Sequence, residues 1–216
     1  MRLARFAWLV LGWNVAVILW GAFVRATGVV ELPALLEAID RCAREARERS
    51  TSGVARMPID RVFTMKGFGT VVTGTLLSGR LALSQTVEIL PWGHQPKIRG
   101  IQVHNEQVTH AAAGCRTAVN LQGIEKAAIR RGEILSEQGR FAPSYRVNAS
   151  FHCLKNAPKA MPNRFRVMVH WGTERVFGRI VFLDPIPAME PGKTGWAQIS
   201  VESPIFPVIG DRFSIS

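Results

Sequence analysis

MPIDRVFTMKGFGTVVTGTLLSG, from Met57 to Gly79, is the stretch that decides the fold. It contains two runs rich in Val, Ile, Thr and Phe, residue types that favour β-strands. The Gly67-Phe68-Gly69 turn separates the runs, so the pattern predicts a β-hairpin. Asp60 and Arg61 are neighbours in the first run, and in a regular strand their side chains would point to opposite faces.

The β-type pattern continues to the end of the chain, with short apolar runs between Gly, Pro and Asn turns. The first group of predicted strands covers residues 56–64, 70–77, 86–90, 97–104, 116–121 and 133–135. The second group covers residues 145–154, 164–171, 174–184, 195–201 and 211–216. This spacing predicts an all-β protein with two consecutive antiparallel β-barrels, at residues 54–139 and 140–216, with a β-sandwich as the alternative for the second and smaller unit.

Two helices of different character are predicted before the strands. Phe6 to Val24 carries no charge, and Trp8 and Trp20 lie near its ends. Such a segment within residues 1–28 predicts a membrane-inserting helix, with a buried core helix as the alternative. Residues 31–49 have apolar positions at helical spacing and acid-to-base pairs four residues apart, which predict an amphipathic connecting helix within residues 29–53.

Composition favours a polyanionic partner. The 216 residues carry a formal net charge of +11, and the sequence pI is about 10.7. RNA, DNA and acidic lipid head groups are all candidates, and a basic protein without a specific partner is the alternative. The three cysteines are scattered without zinc-site spacing, so the sequence predicts a reducing compartment and no metal site.

Catalytic motifs are absent from the sequence. It contains no GxxxxGK[ST] loop, no GxSxG and no HExxH, which indicates that the chain is not an enzyme by itself. The remaining candidate is the set Asp60, Arg61 and Arg116. An arginine beside a carboxylate can form a structural ion pair at a barrel rim, or it can receive a phosphate or another anionic group. From the residues alone, the structural ion pair is the favoured interpretation.

Pro58 to Gly79 resembles the start of the second domain of bacterial selenocysteine-specific translation elongation factors, relatives of elongation factor Tu. The resemblance continues through Ile98–Asn105, Gly114–Leu121 and Arg131–Glu133, and then through His170–Glu174 and Gly210–Phe213. It covers roughly residues 29–216, with the connecting helix similar to the last helix of the family's GTPase domain.

The resemblance implies specific site residues. In the family, domain two takes up the aminoacyl end of selenocysteinyl-tRNA, and the pocket positions match Asp60, Arg61 and Arg116, with His104 near the same surface. Domain three of the family holds the tRNA arm. This implies phosphate contacts from Arg164, Arg166 and Arg179, with solvated surface charge as the alternative.

The resemblance also sets expectations about partners. The expected partners are selenocysteinyl-tRNA, the ribosome through an intact factor, and a GTPase domain, all in the cytoplasm. The family's GTPase domain is missing apart from its last helix, so the GTP and Mg²⁺ of the intact family are not expected as cofactors of this chain.

A second resemblance concerns the N-terminal segment. Leu9 to Gly28 resembles the first transmembrane helix of haem A synthases, but the histidine-bearing helices of that family do not follow. The apolar segment and the basic composition leave an alternative function, a membrane-anchored basic β-barrel adaptor without tRNA selectivity, held through contact of Phe6–Val24 with the membrane.

Overall fold

The computed structural model describes residues 32–45, 51–65, 67 and 69–216. The chain divides into two compact units, Met1–Glu48 and Arg49–Ser216. The predictions for Phe6–Val24 and Leu9–Gly28 fall outside the described residues. No helix in the part of the chain that the structure describes is long and apolar enough to cross a membrane.

The first unit contains helix α1, Leu32–Glu45, within the predicted residues 31–49. Pro33 lies in its first turn, where the missing backbone N–H removes no helical hydrogen bond. Leu35, Leu36 and Ile39 belong to the predicted apolar stripe, and all three side chains are exposed.

The second unit begins with nine strands. In chain order they are β1 (Arg56–Met65), β2 (Gly69–Thr75), β3 (Arg80–Ala82), β4 (Glu88–Leu90), β5 (Lys97–Val103), β6 (Glu106–Val108), β7 (His110–Ala112), β8 (Arg116–Gln122) and β9 (Ile134–Ser136). Seven form one sheet in the order β4-β9-β1-β2-β8-β5-β6, and β3 pairs with β7. Alternate residues of β8 point inward and join a core around Met57, Ile59 and Val72.

Seven further strands follow. They are β10 (Ser144–His152), β11 (Met161–Pro162), β12 (Arg166–Trp171), β13 (Glu174–Phe182), β14 (Ala188–Met189), β15 (Thr194–Ile205) and β16 (Phe213–Ile215). Five form a second sheet in the order β10-β15-β13-β12-β16, and β11 pairs with β14. This group has its own core, in which Val169, Ile180 and Ile199 are fully buried.

These strands confirm the predicted all-β fold of translation-factor β-barrel type, although the sequence missed several short elements. The strands that the sequence missed are β3, β6, β7, β11 and β14, which have only two or three residues each. Such segments are too short to show a period of two. Strand β15 extends beyond the predicted end at residue 201, and Ile205 pairs with Ser144 across a register shift.

The two strand groups contact each other within the second unit. Arg56 of β1 forms an ion pair with Asp211, which precedes β16. Leu90 and Ile134 of the first group bury an apolar cluster with Phe206 of the second. A β-carbon added at Gly172, in the turn between β12 and β13, would lie 3.4 Å from Pro58. Polar and apolar contacts thus join the two groups along β1 and β9.

Candidate anion-binding site

A β-bulge in β1 sets the geometry of the candidate site. Ile59 pairs with Gly74 and Arg61 pairs with Thr73, so Asp60 is the extra residue on β1. Ile59 and Val62 both pack on the core, which strict alternation would forbid. The alternation expected from the sequence therefore fails here, because a bulge re-aims the side chains around it. Asp60 is partly buried and Arg61 is exposed.

The Asp60 carboxylate receives two short hydrogen bonds from neighbouring strands. Thr73 Oγ1 of β2 donates to Oδ1 at 2.6 Å. Arg116 Nη1, at the start of β8, donates to Oδ2 at 2.5 Å. The side chain of Asp60 is 20% exposed and that of Arg116 is 54% exposed. One end of the guanidinium is thus anchored, while more than half of the side chain remains open to solvent.

The electrostatics of the site keep Asp60 ionised. Burial alone would raise the pKa of this carboxyl, but the hydrogen bonds from Thr73 and Arg116 and the charges of Arg116 and Arg61 outweigh it. The pKa therefore lies below its ordinary value of 3.8. With Asp60 negative and both arginines positive, the group carries a net positive charge at neutral pH.

The other predicted residues of this site, Arg61 and His104, differ in how they relate to the Asp60–Arg116 pair. Arg61 lies next to Asp60 in sequence and contributes its charge to the carboxylate. His104 is exposed in the turn after β5, where it adopts a positive φ of 53°. Since Val103 pairs with Thr117, this turn lies beside the Arg116 end of β8. Within the described ranges, no hydrogen bond joins His104 to Asp60 or Arg116.

Sequence reasoning missed two threonines at this site. Thr73 holds the Asp60 carboxylate, and Thr173 donates from its side chain to the carbonyl of Ile59 at 2.8 Å. Thr73 lies opposite Arg61 in the predicted hairpin. Pairing the residues of the two runs outward from the Gly67 turn could therefore have suggested it. Nothing in the sequence connects Thr173 to Ile59 of β1, because the two residues lie 114 positions apart.

The three arginines predicted as phosphate contacts lie at one end of the β12–β13 pair. Arg166 pairs in register with Arg179. Arg166 forms an ion pair with Glu202 at 3.0 Å, and its guanidinium lies 4.4 Å above the centre of the Phe177 ring. Arg179 Nη1 donates to the backbone oxygen of Arg164 at 2.6 Å. Arg166 and Arg179 therefore already have partners, and all three side chains are exposed.

Comparison with known proteins matches this region of the chain to translation factors. Residues 69–136 match the family model for elongation factor Tu domain 2. The selenocysteine-specific elongation factor of Desulfomicrobium baculatum is 44% identical over 161 residues, which are 74% of this chain and 25% of that protein. The selenocysteine-specific elongation factor of Methanocaldococcus jannaschii is 37% identical over 108 residues, which are 50% of this chain and 22% of that protein.

The chain therefore spans about a quarter of the length of these relatives. The similarity to the Desulfomicrobium baculatum protein covers most of the chain, and the domain match falls on strands β2 to β9. The resemblance noted in the sequence is confirmed: the chain is homologous, over most of its length, to part of the selenocysteine-specific elongation factors.

Proposed function

We propose that this chain binds the aminoacyl end of selenocysteinyl-tRNA through Asp60, Arg61 and Arg116, with His104 at the edge of the site. The observation that carries the proposal is the anchored but open guanidinium of Arg116, which Asp60 holds at one end. The relatives named selenocysteine-specific elongation factors supply the substrate class.

The physical basis is the charge of the aminoacyl side chain. A selenol is largely ionised at neutral pH, whereas the serine hydroxyl is neutral, so only selenocysteine gains Coulomb attraction from a net positive site. Two unit charges 4 Å apart attract by about 1 kcal/mol in water and by about 4 kcal/mol at an effective dielectric constant of 20. Because Arg116 is largely exposed, we expect discrimination near the lower figure, about fivefold to tenfold.

The remaining features extend the same proposal. Arg164, Arg166 and Arg179 would contact phosphates of the tRNA arm, which position a nucleic acid without reading its sequence. The chain would act in the cytoplasm as part of a translation factor, with the ribosome and a GTPase domain as further partners. GTP and Mg²⁺ would be bound by that GTPase domain, and this chain would hydrolyse no GTP by itself.

The test is a direct titration of the full chain with selenocysteinyl-tRNA and with seryl-tRNA at several salt concentrations. We expect the selenocysteinyl form to bind more tightly at every salt concentration, because phosphate contacts are common to both ligands. Arg116→Ala should reduce the ratio of the two affinities toward one.

Arg99→Ala is the matched control. Arg99 is an exposed arginine that follows Ile98, whose partner Leu121 lies at the far end of β8 from Arg116. This variant removes the same charge and should weaken binding of both ligands without changing their ratio. Equal affinity of the unmodified chain for both ligands would overturn the proposal.

A further inference from the structure

The backbone immediately before Asp60 is held from both strand groups. The carbonyl of Ile59 accepts a hydrogen bond from the backbone N–H of Gly132 at 2.9 Å. It accepts a second hydrogen bond from Thr173 Oγ1 at 2.8 Å. Gly132 belongs to the first strand group and Thr173 to the second, so this single carbonyl is a junction between them.

The tight turn that contains Thr173 packs directly against β1. Trp171 and Glu174 pair across the ends of β12 and β13, and only Gly172 and Thr173 lie between them. Gly172 has a φ of +59°, the left-handed conformation that a two-residue turn favours. A β-carbon on Gly172 would lie 3.4 Å from Pro58. The turn therefore fixes where the threonine hydroxyl sits against Ile59.

We infer that Thr173 is a positioning residue for the Asp60–Arg116 pair, acting across the junction through the carbonyl that precedes the bulge. Thr73 performs the complementary task within the first strand group, because its hydroxyl holds the Asp60 carboxylate itself. The two threonines thus fix the backbone and the side chain of the same aspartate. This inference rests on the proposed function of the pair.

Positioning matters here because Arg116 is long and exposed. An arginine side chain has many accessible rotamers, and a ligand would have to overcome this rotamer entropy if the guanidinium were unrestrained. Asp60 holds one end of that guanidinium in advance. Any motion of the bulge would move Asp60 and loosen Arg116, so the contact from Thr173 should influence binding without touching the ligand.

The experiment compares four variants of the full chain: Thr173→Val, Thr173→Ser, Thr73→Val and the control Thr70→Val. Valine has nearly the shape of threonine but lacks the hydroxyl, while serine retains it. Thr70 Oγ1 donates to the carbonyl of Ile124 at 2.8 Å, a similar hydrogen bond that does not involve Asp60. Thermal unfolding of each variant establishes that it remains folded at the assay temperature.

Two readouts separate positioning from general stability. The first is the affinity ratio of selenocysteinyl-tRNA to seryl-tRNA. We expect Thr173→Val and Thr73→Val to lower it about twofold, near the lower end for one net hydrogen bond and less than the loss expected for Arg116→Ala. The second is the titration of the Asp60 carboxyl carbon by NMR, in which the pKa should rise in both variants. Thr173→Ser should restore both readouts, and Thr70→Val should change neither.

An unchanged ratio and an unchanged Asp60 titration in Thr173→Val would overturn the inference while leaving the proposed function standing. If the unmodified chain does not distinguish the two tRNAs, the proposed function fails instead. The Asp60 titration, which requires no tRNA, then decides alone whether Thr173 positions the pair.

Discussion

Arg56 and Asp211 join the two strand groups through a two-pronged ion pair. Arg56 Nη1 donates to Asp211 Oδ2 at 2.6 Å, and Nη2 contacts Oδ1. The same guanidinium donates to the backbone oxygen of Phe206 at 3.3 Å. The side chains are only 7% and 15% exposed. A charge pair in such surroundings is costly to break, because the remaining partner stays buried without compensation.

We therefore predict that Asp211→Asn lowers the free energy of unfolding by about 3 kcal/mol at neutral pH. Urea unfolding measures the loss. Glu202→Gln is the matched control, since it removes the acid of the Arg166–Glu202 pair, whose side chains are each 58% exposed. Exposed pairs contribute about 0–1 kcal/mol. Equal losses of unfolding free energy in the two variants would show that burial does not raise the contribution of the Arg56–Asp211 pair to stability.

Acid should reduce the contribution of the Arg56–Asp211 pair to the stability of the fold. Burial alone would raise the pKa of Asp211, but hydrogen bonds from Arg56 and Val208 and the charge of Arg56 lower it below 3.8. A lowered carboxyl pKa stabilises the fold above the unfolded pKa, and this stabilisation is lost as pH falls through the folded pKa. The difference in unfolding free energy between the unmodified chain and Asp211→Asn should be constant near neutrality and shrink below about pH 4.

That pH series is measured by urea unfolding at each pH. Glu133 contributes with the opposite sign, because burial raises its pKa despite the hydrogen bonds and charges that act to lower it. Its effect is common to both proteins and cancels in their difference. A difference that grows toward low pH would contradict the assignment to Asp211.

The hairpin and the strand pattern could be predicted because they depend on local spacing. The runs on either side of Gly67 became β1 and β2, and the turn residues fixed their partnership. The bulge at Asp60 could not be predicted, because it is a shift in the pairing of β1 with β2, and local residue spacing does not show the pairing of two strands. It leaves Ile59 and Val62 on the same side of β1.

The candidate site was predictable only in part for the same reason. The residues alone made Asp60, Arg61 and Arg116 the candidate set, and the family resemblance added the pocket role. The structure brings Asp60 and Arg116 together across 56 positions. Thr173 and Asp211 carry no local signal of their roles, since their partners are Ile59 and Arg56 in the other strand group. Contacts between distant segments are set by tertiary packing, which residue spacing does not encode.

Close packing at Gly74 should be intolerant of any side chain. A β-carbon there would lie 2.2 Å from the backbone oxygen of Pro58 and 2.9 Å from Cγ of Met57. Gly74→Ala should therefore destabilise the fold by about 1–3 kcal/mol through overpacking. Gly100→Ala is the control, because the nearest atom to its β-carbon is Cβ of Asn120 at 3.6 Å. We expect that variant within about 0.5 kcal/mol of the unmodified chain in urea unfolding.

The arginine-bearing end of β12 and β13 yields a prediction in which removing one acid strengthens tRNA binding by more than the change in net charge alone. Arg166 is held by Glu202 and stacks on Phe177, so its charge is partly neutralised. Glu202→Gln frees that guanidinium for a phosphate. We predict tighter tRNA binding and a steeper dependence of affinity on salt, by up to about one unit of slope.

Glu190→Gln is the control for that prediction, because Glu190 is also exposed and the substitution changes the net charge equally. It should alter tRNA affinity less, since long-range effects between exposed charges are screened within about 10 Å at 0.1 M salt. Binding isotherms between low and moderate salt measure both slopes. Identical slopes for the two variants would show that net charge alone governs binding, and that Arg166 makes no phosphate contact when released from Glu202.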